Sequence, residues 1–504
     1  MRFVITLLAF AAALLLAGCH SAADDPADPT PGTATRKFIR VDVQVNGSRG
    51  SRAVTDEDDG YTAADADLRE ATVTRVSIIL WPHDAGTDIN GDAAALATRV
   101  HAYSWPVRRT DDAAATATTY TTDSRQLPDE VEEGDYNMLV VANADLTADL
   151  DGATLAQVRD YTLRELPLTA LSTGDNRYSF DPLRTKDFVM SSVAVNTISL
   201  MAAASEDDDP RTPKGSEHNP FTADSPVTVE RLACRIDMAL RPDYYHETID
   251  AVTGEVTDRY YEYPVTDAVT KQKVGTFKLT HVTPFNITHQ EYLFKHTTVG
   301  TDLADGQRVV QVPGREVQDA AGRNVNYVID PYTLVQGTNV SVVGSFYNAD
   351  TYHSNLGDNA ADLRTRYRVP RLAYTTRLTD WTNAAGEALK YYTLTYSAEN
   401  SITADAQQAV TTPLSTYASG IRFYGSYQLD GSTQERSVPF DYFIRHSAPA
   451  LDADLTRPMT YGLVRNNIYR VYIRSVSRLK DDFVISLSVQ VLPWAYYVHD
   501  EIWM

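Results

Sequence analysis

Along most of this chain apolar and polar residues alternate one for one, the spacing of a strand with one face in a core and the other in water. The first such stretch is Lys37–Gly47. Ile39, Val41, Val43 and Val45 fall on one side, Arg40, Asp42 and Gln44 on the other, and Asn46-Gly47 closes it as a turn. Thr72–Trp81 resumes the alternation, followed by Thr98–Trp105, Thr118–Thr122, Tyr136–Asn143 and a pair of strands within Phe188–Leu200. Ala203–Pro220 then breaks the pattern with charge, Pro and Gly. Beyond it, strands are predicted at Val227–Leu240, Lys273–Val282, Val309–Val312, Tyr327–Ile329, Val340–Tyr347 and Tyr391–Tyr396. Ile421–Leu429, Asp441–Arg445, Ile468–Val476 and Phe483–Leu492 complete the series. A short helix is predicted within Leu155–Leu168, with Leu155, Val158 and Leu163 inward. Short strands punctuated by turns predict an all-β fold with minor α: two Greek-key-like antiparallel β-sandwich domains in tandem.

Length agrees, because 504 residues exceed what one ordinary core holds. The excess of 30 Tyr over 14 Phe suits half-exposed strand surfaces. A formal charge of −22 argues against nucleic acid and anionic membrane surfaces as partners.

Ahead of the first strand, Met1–Gly18 carries Arg2 and an apolar run from Phe3 to Leu16, which reads as a signal peptide. Leu16-Ala17-Gly18-Cys19 resembles a lipobox, the lipid-attachment signal of bacterial lipoproteins, with Cys19 as the acylated residue. His20–Arg36 has no apolar period and reads as a tether. Ser48–Gly60 is polar and Gly-punctuated, an exposed loop of the kind proteases enter, with Arg49-Gly50 and Arg52-Ala53 inside it. The resulting map is a signal peptide at 1–18, a lipidated tether at 19–36 and an N-terminal sandwich at 37–202. Its first strand lies at 37–47 and its cleavable loop at 48–60. A linker at 203–222 and a C-terminal sandwich at 223–504 follow, the latter ending in a further apolar stretch at 495–504.

Little catalytic chemistry stands out. Of the two cysteines, Cys19 belongs to export, and Cys234 falls on the apolar face Leu232, Cys234, Ile236, Met238, which predicts a buried thiol. Ser477-Arg478-Leu479-Lys480 has the spacing of some acyl-enzyme hydrolases but lies between two alternating strands and predicts a hairpin turn. His281, His289 and His296 are too widely spaced for a ligand set, and Asp56–Asp59 lacks the ligand spacing of a calcium loop. No enzyme activity, cofactor or metal is expected.

Several landmarks together resemble the fimbrillins, the type V pilin subunits of Bacteroidales. They are the lipobox, the strand and the Arg-containing loop; Gly134–Asn143 with its Ala-Asn ending; and Val229-Glu230-Arg231-Leu232-Ala233-Cys234-Arg235-Ile236. Tyr442–His446, Leu463–Tyr469 and the final Val491-Leu492-Pro493-Trp494 continue the order. Cys234 stands where the family usually carries Ala. The resemblance implies a fimbrial subunit that reaches the outer membrane as a lipoprotein and is cut by an Arg-specific protease after its first strand. Arg52-Ala53 is the preferred bond and Arg49-Gly50 the second. It implies further that a strand of another copy or a related subunit fills the vacated slot, and that the fibre meets host or bacterial surface ligands. Tyr496, Val498, Ile502 and Met504, beyond Pro493, are the candidate donor positions, and the stalk is preferred over the tip or anchor. The alternative is a non-polymerising surface lipoprotein that binds glycans on Trp81, Trp105, Trp381, Trp494 and Trp503.

Overall fold

The computed structural model describes residues 37–45, 70–84, 86–110, 119–163, 188–201, 212–288, 291–299, 326–329, 331, 346–347, 367–373, 378–383, 385–401, 418–444, 462–479 and 482–493. Strands dominate. Among the described residues, helix is limited to short pieces at 70–71, Ala93–Leu96, Thr147–Leu150, Leu155–Arg159 and a 3-10 turn at Pro242–Tyr244, so the all-β expectation with minor α holds. The helix at Leu155 begins where Thr154 and Gln157 form a reciprocal capping box. Leu163, expected on its inner face, is instead in a short strand, because its backbone pairs with Glu291 from the C-terminal half.

The N-terminal half supplies β1 (Phe38–Ile39), β2 (Asp42–Val45), β3 (Arg75–Pro82), β4 (His101–Arg109), β5 (Thr119–Thr122), β6 (Arg125–Gln126), β7 (Asp135–Ala142), β8 (Thr162–Leu163), β9 (Met190–Ser192) and β10 (Asn196–Ser199). β11 (Val227–Arg231) joins them from beyond the predicted linker. The pairing order β7-β3-β4-β5-β2-β11-β9 returns to its start, because β9 also pairs β7, and β10 lies farther along that same edge of β7. A ring of pairings hides the edges that would otherwise invite foreign strands.

The C-terminal half supplies β12 (Cys234–Leu240), β13 (Tyr245–Ile249), β14 (Val256–Asp267), β15 (Lys273–Phe285), β16 (Ile287–Thr288), β17 (Glu291–Tyr292), β18 (His296–Val299), β19 (Asn326–Ile329) and β20 (Phe346–Tyr347). It continues with β21 (Thr379–Thr382), β22 (Ala388–Ser397), β23 (Asn400–Ser401), β24 (Gly420–Leu429), β25 (Glu435–Phe443), β26 (Gly462–Leu463), β27 (Asn467–Leu479) and β28 (Asp482–Pro493). Its main sheet runs β21-β22-β12-β27-β14-β15-β24-β25, with β13 on β14 and β28 on β27. β27, at 13 residues, divides one edge between β12 and β14 and gives the other to β28 along its whole length. Most pairings are antiparallel as expected. β2–β11, β12–β27 and β14–β27 are parallel.

The single strand expected over Val227–Leu240 is two strands on two sheets, with Leu232 and Ala233 buried between them. The reason lies in β12, which is buried on both faces. Cys234, Ile236 and Met238 join the apolar core, while Arg235 and Asp237 meet charged partners on the other side. The hairpin β13–β14 was not legible from alternation. Its first strand and turn are exposed and polar, and Tyr261, Tyr263 and Val265 become buried only farther along β14. One contiguous apolar cluster, from Ile39 to Val476, runs through both halves.

Candidate functional site: the slot of the leading strand

The first strand does what its alternation predicts. Ile39, Val41, Val43 and Val45 are at most 2% exposed, all within the shared core. β2 lies between β5, antiparallel at Asp42↔Thr121, Val43↔Tyr120 and Gln44↔Thr119, and β11, parallel at Val227↔Val43, Thr228↔Gln44 and Val229↔Val45. Where the strand is interrupted before Asp42, Thr122 takes over. Its Oγ1 accepts the Val41 N–H at 3.0 Å, and its own N–H reaches the Val41 carbonyl at 3.0 Å. The Thr121 hydroxyl donates to the Asp42 carboxylate.

The upstream end is held by a turn at the end of the predicted linker. Phe38 N donates to Gly215 O at 2.8 Å, Phe221 N to Phe38 O at 2.8 Å, and Arg40 N to Phe221 O at 2.9 Å. This turn requires glycine. Gly215 has φ +84°, and a Cβ there would sit 2.5 Å from the Phe221 ring. On its other side β1 pairs β6, and Leu127 N reaches Lys37 O at 2.8 Å.

Glu70 is 5% exposed and belongs to a buried ionic junction. β12 and β27 align Asp237 with Arg470, and β12 and β22 align Arg235 with Tyr396, so the register itself brings these groups together. Arg235 Nη1 contacts both Glu70 carboxylate oxygens at 3.1 Å, and its Nε and Nη2 meet Asp237 at 3.0 and 3.1 Å. Arg470 reaches Asp237 Oδ2 at 3.0 Å and lies 3.4 Å from the centre of the Tyr391 ring. The Tyr396 hydroxyl donates to Glu70 at 2.8 Å, and Arg231 Nε donates to the Glu70 carbonyl at 2.7 Å. Sequence reasoning missed this junction. Arg231, Arg235 and Asp237 within an otherwise apolar run were the available signal, but Glu70 has none of its own.

A second buried cluster lies beside it. Arg465 Nη2 stands 2.8 Å from both Glu291 and Glu399, and all three side chains are fully buried. Burial pushes the Glu291 carboxyl well up; burial also works upward on Glu399, but the charge and hydrogen bonds of Arg465 together with Lys295 outweigh it and hold that carboxyl low. His296 is stacked on Tyr292 at 3.7 Å, with Nε2 2.7 Å from the Arg159 carbonyl. Burial pulls its pKa from 6.5 to about 4.

Other predicted positions can now be placed. Cys234 is fully buried with its thiol pushed far up by desolvation, as its apolar face implied. Ser477 is within β27, which pairs β28 down to Leu479↔Asp482, a hairpin arrangement; Lys480 is outside the described residues. His281 sits at the surface side of β15 next to Thr280, apart from His296. Trp81 and Trp381 are buried and Trp105 stacks half-buried on Tyr103, so these three do not form one platform. Cys19, Arg49, Gly50, Arg52, Ala53, Asp56–Asp59, His289, Trp494, Tyr496, Val498, Ile502, Trp503 and Met504 lie outside the described residues, as does the strand expected at Val309–Val312.

No protein-family model matches the chain, and no curated protein matches it. Among solved structures it is similar to a candidate cell adhesion protein from Parabacteroides distasonis ATCC 8503, at 13% identity and TM-score 0.41, over 91% of this chain and 100% of that one. A second candidate cell adhesion protein from the same strain gives 14% identity and TM-score 0.39, over 91% and 97%. A third, from Bacteroides eggerthii DSM 20697, gives 9% identity and TM-score 0.35, over 92% and 97%. Among the described residues no helix is long and apolar enough to cross a membrane.

Proposed function

We propose that this chain is the precursor of a cell-surface fimbrial subunit. It is exported as a lipoprotein held at the outer membrane through Cys19. An Arg-specific protease cuts it at Arg52-Ala53, or else at Arg49-Gly50, and it then polymerises by strand exchange. The assembled fibre serves adhesion. The observation that carries the reading is the position of the leading strand. It is fully buried between β5 and β11, yet it is joined to the rest of the chain by the segment holding Arg49 and Arg52.

The energetics fit such a cycle. Each fully buried aliphatic side chain of that strand is worth about 1.5–3 kcal/mol. Its departure would also leave backbone donors and acceptors of β5 and β11 unpaired, a template for strand addition. An incoming strand must therefore run parallel to β11 and antiparallel to β5, with apolar residues at alternate positions. The chain itself carries such a sequence near its end. Ile485-Ser486-Leu487-Ser488-Val489-Gln490-Val491 shares Ile, Val, Gln and Val, place for place, with Ile39-Arg40-Val41-Asp42-Val43-Gln44-Val45. Among the described strands β28 pairs β27 alone. The donor is thus drawn from the C-terminal part of another copy, through either this repeat or the segment of Tyr496, Val498, Ile502 and Met504.

Treating the purified precursor with an Arg-specific protease tests this. Cleavage should yield polymers that resist mild detergent, with an N-terminus at Ala53 or Gly50. Peptides spanning Ile485–Val491 and Tyr496–Met504 should differ in blocking assembly, and the stronger competitor marks the donor. Surface fibres whose subunits all keep an acylated Cys19, or assembly unaffected by joint Arg49→Ala and Arg52→Ala substitution, would overturn the reading.

A further inference from the structure

β11 touches both halves of the molecule at once. One edge pairs the leading strand through Val227, Thr228 and Val229, and the other pairs β9 through Val229, Glu230 and Arg231. The charged side chains at its end reach toward the C-terminal half. Glu230 meets Lys295 at 2.8 Å, while Arg231 holds the Glu70 carbonyl and, at 3.3 Å, the Asn466 side chain. Asn466 N in turn donates to Ala233 O at 2.8 Å, just before β27 begins at Asn467. From Glu70 the contacts run without a gap through Arg235, Asp237 and Arg470 to Tyr391 and Trp381.

We propose that β11 couples occupancy of the slot to this ionic junction. Loss of the leading strand, the event on which the proposed function rests, loosens the C-terminal half around Arg235 and Arg470. Without β2, β11 keeps only its three-residue pairing with β9 and becomes an edge strand of the opened sheet, less firmly held than when paired on both sides. Buried ion pairs repay the desolvation of their charges only in close geometry. A small displacement of Arg231 is therefore amplified at Glu70 and Arg235. β27, which carries Arg470, is also the strand on which β28 lies. The coupling imposes an order on assembly: the slot opens first, and the C-terminal strands become easier to release afterwards. A precursor with its leading strand in place keeps both ends closed.

Hydrogen exchange on the full chain tests the coupling. The chain is compared intact, after cutting with an Arg-specific protease and clearing the released strand in mild denaturant, and after adding excess synthetic Lys37–Gly47 peptide. Amides of Thr119–Thr122 report the slot; those of Arg235–Leu240 and Ile468–Tyr472 report the junction. Emptying the slot should speed exchange in both sets by roughly tenfold or more, and the peptide should restore both. Arg231→Lys keeps the charge but not the planar fork, so it should retain the slot response and lose most of the junction response. A slot that responds while the wild-type junction stays unchanged overturns the coupling alone. A slot that neither empties nor refills overturns the strand-exchange reading with it.

Discussion

The two N-terminal pieces of this chain that lie either side of the Arg49 and Arg52 positions are held in opposite ways. Residues 37–45 are held by an apolar face and by backbone pairing to both sides. Glu70 is held by one carboxylate and one carbonyl inside a cluster of arginines. The first kind of anchorage is generic, since any strand with the same alternation and direction can satisfy it. The second is specific, because a buried carboxylate is tolerated only where cations and donors already wait for it. Under the proposed strand exchange, the type of contact would decide which piece leaves. The leading strand is held by hydrophobic burial, and Glu70 by ion pairs.

Four measurements sharpen or break that contrast. The largest effect belongs to the ionic anchor. Glu70→Ala removes the carboxylate that Arg235 and the Tyr396 hydroxyl contact, and should cost about 3–5 kcal/mol in denaturant unfolding, with Glu70→Gln costing less. A cost under about 1 kcal/mol would mean the junction is not an anchor.

Next is pH. His296 is kept neutral by burial, with its pKa at about 4 against 6.5 in the unfolded chain. Between those values the unfolded state binds more protons, so the contribution of His296 to stability should fall as pH drops through that window and level off below it. The change is about 3 kcal/mol at most. His296→Gln should flatten the dependence of the unfolding midpoint on pH between those values.

Thr122→Val should cost about 1–3 kcal/mol, because it strips the acceptor from the buried Val41 N–H while keeping side-chain volume. It should also speed release of the leading strand after cleavage, measured by loss of the Lys37–Gly47 fragment on gel filtration. Arg40→Ala is the smallest. Its ion pair with Asp42 is long, at 3.5 Å, and largely exposed, so the change should stay within about 0.5 kcal/mol. A larger loss would show that the solvent face of the strand, and not its apolar face, holds it in place.

Much of the architecture was legible because period-two alternation is a local property. β3, β5, β7, β15, β22, β24, β27 and β28 fall within a few residues of their expected places. So does the buried set Ile39, Val41, Val43 and Val45, and so does Cys234. The hairpin β13–β14 was not legible, since β13 and the start of β14 are largely exposed and polar and the buried positions come only later, at Tyr261, Tyr263 and Val265. Nor was the break at Leu232-Ala233, because apolar residues continue through it while the backbone changes sheets. Leu163 was assigned to a helix by its spacing and went to a strand by its partner.

The sequence by itself determined the leading strand, its inward residues and the presence of arginines in the segment that follows, because these depend on neighbours along the chain. Only the tertiary structure decided that β11 closes the first sheet and that Glu70 is buried. It also decided that Asp237 meets Arg470, 233 positions away. Such contacts are set by which strands pair and in what register, and a charge carries no mark of where its partner will come from.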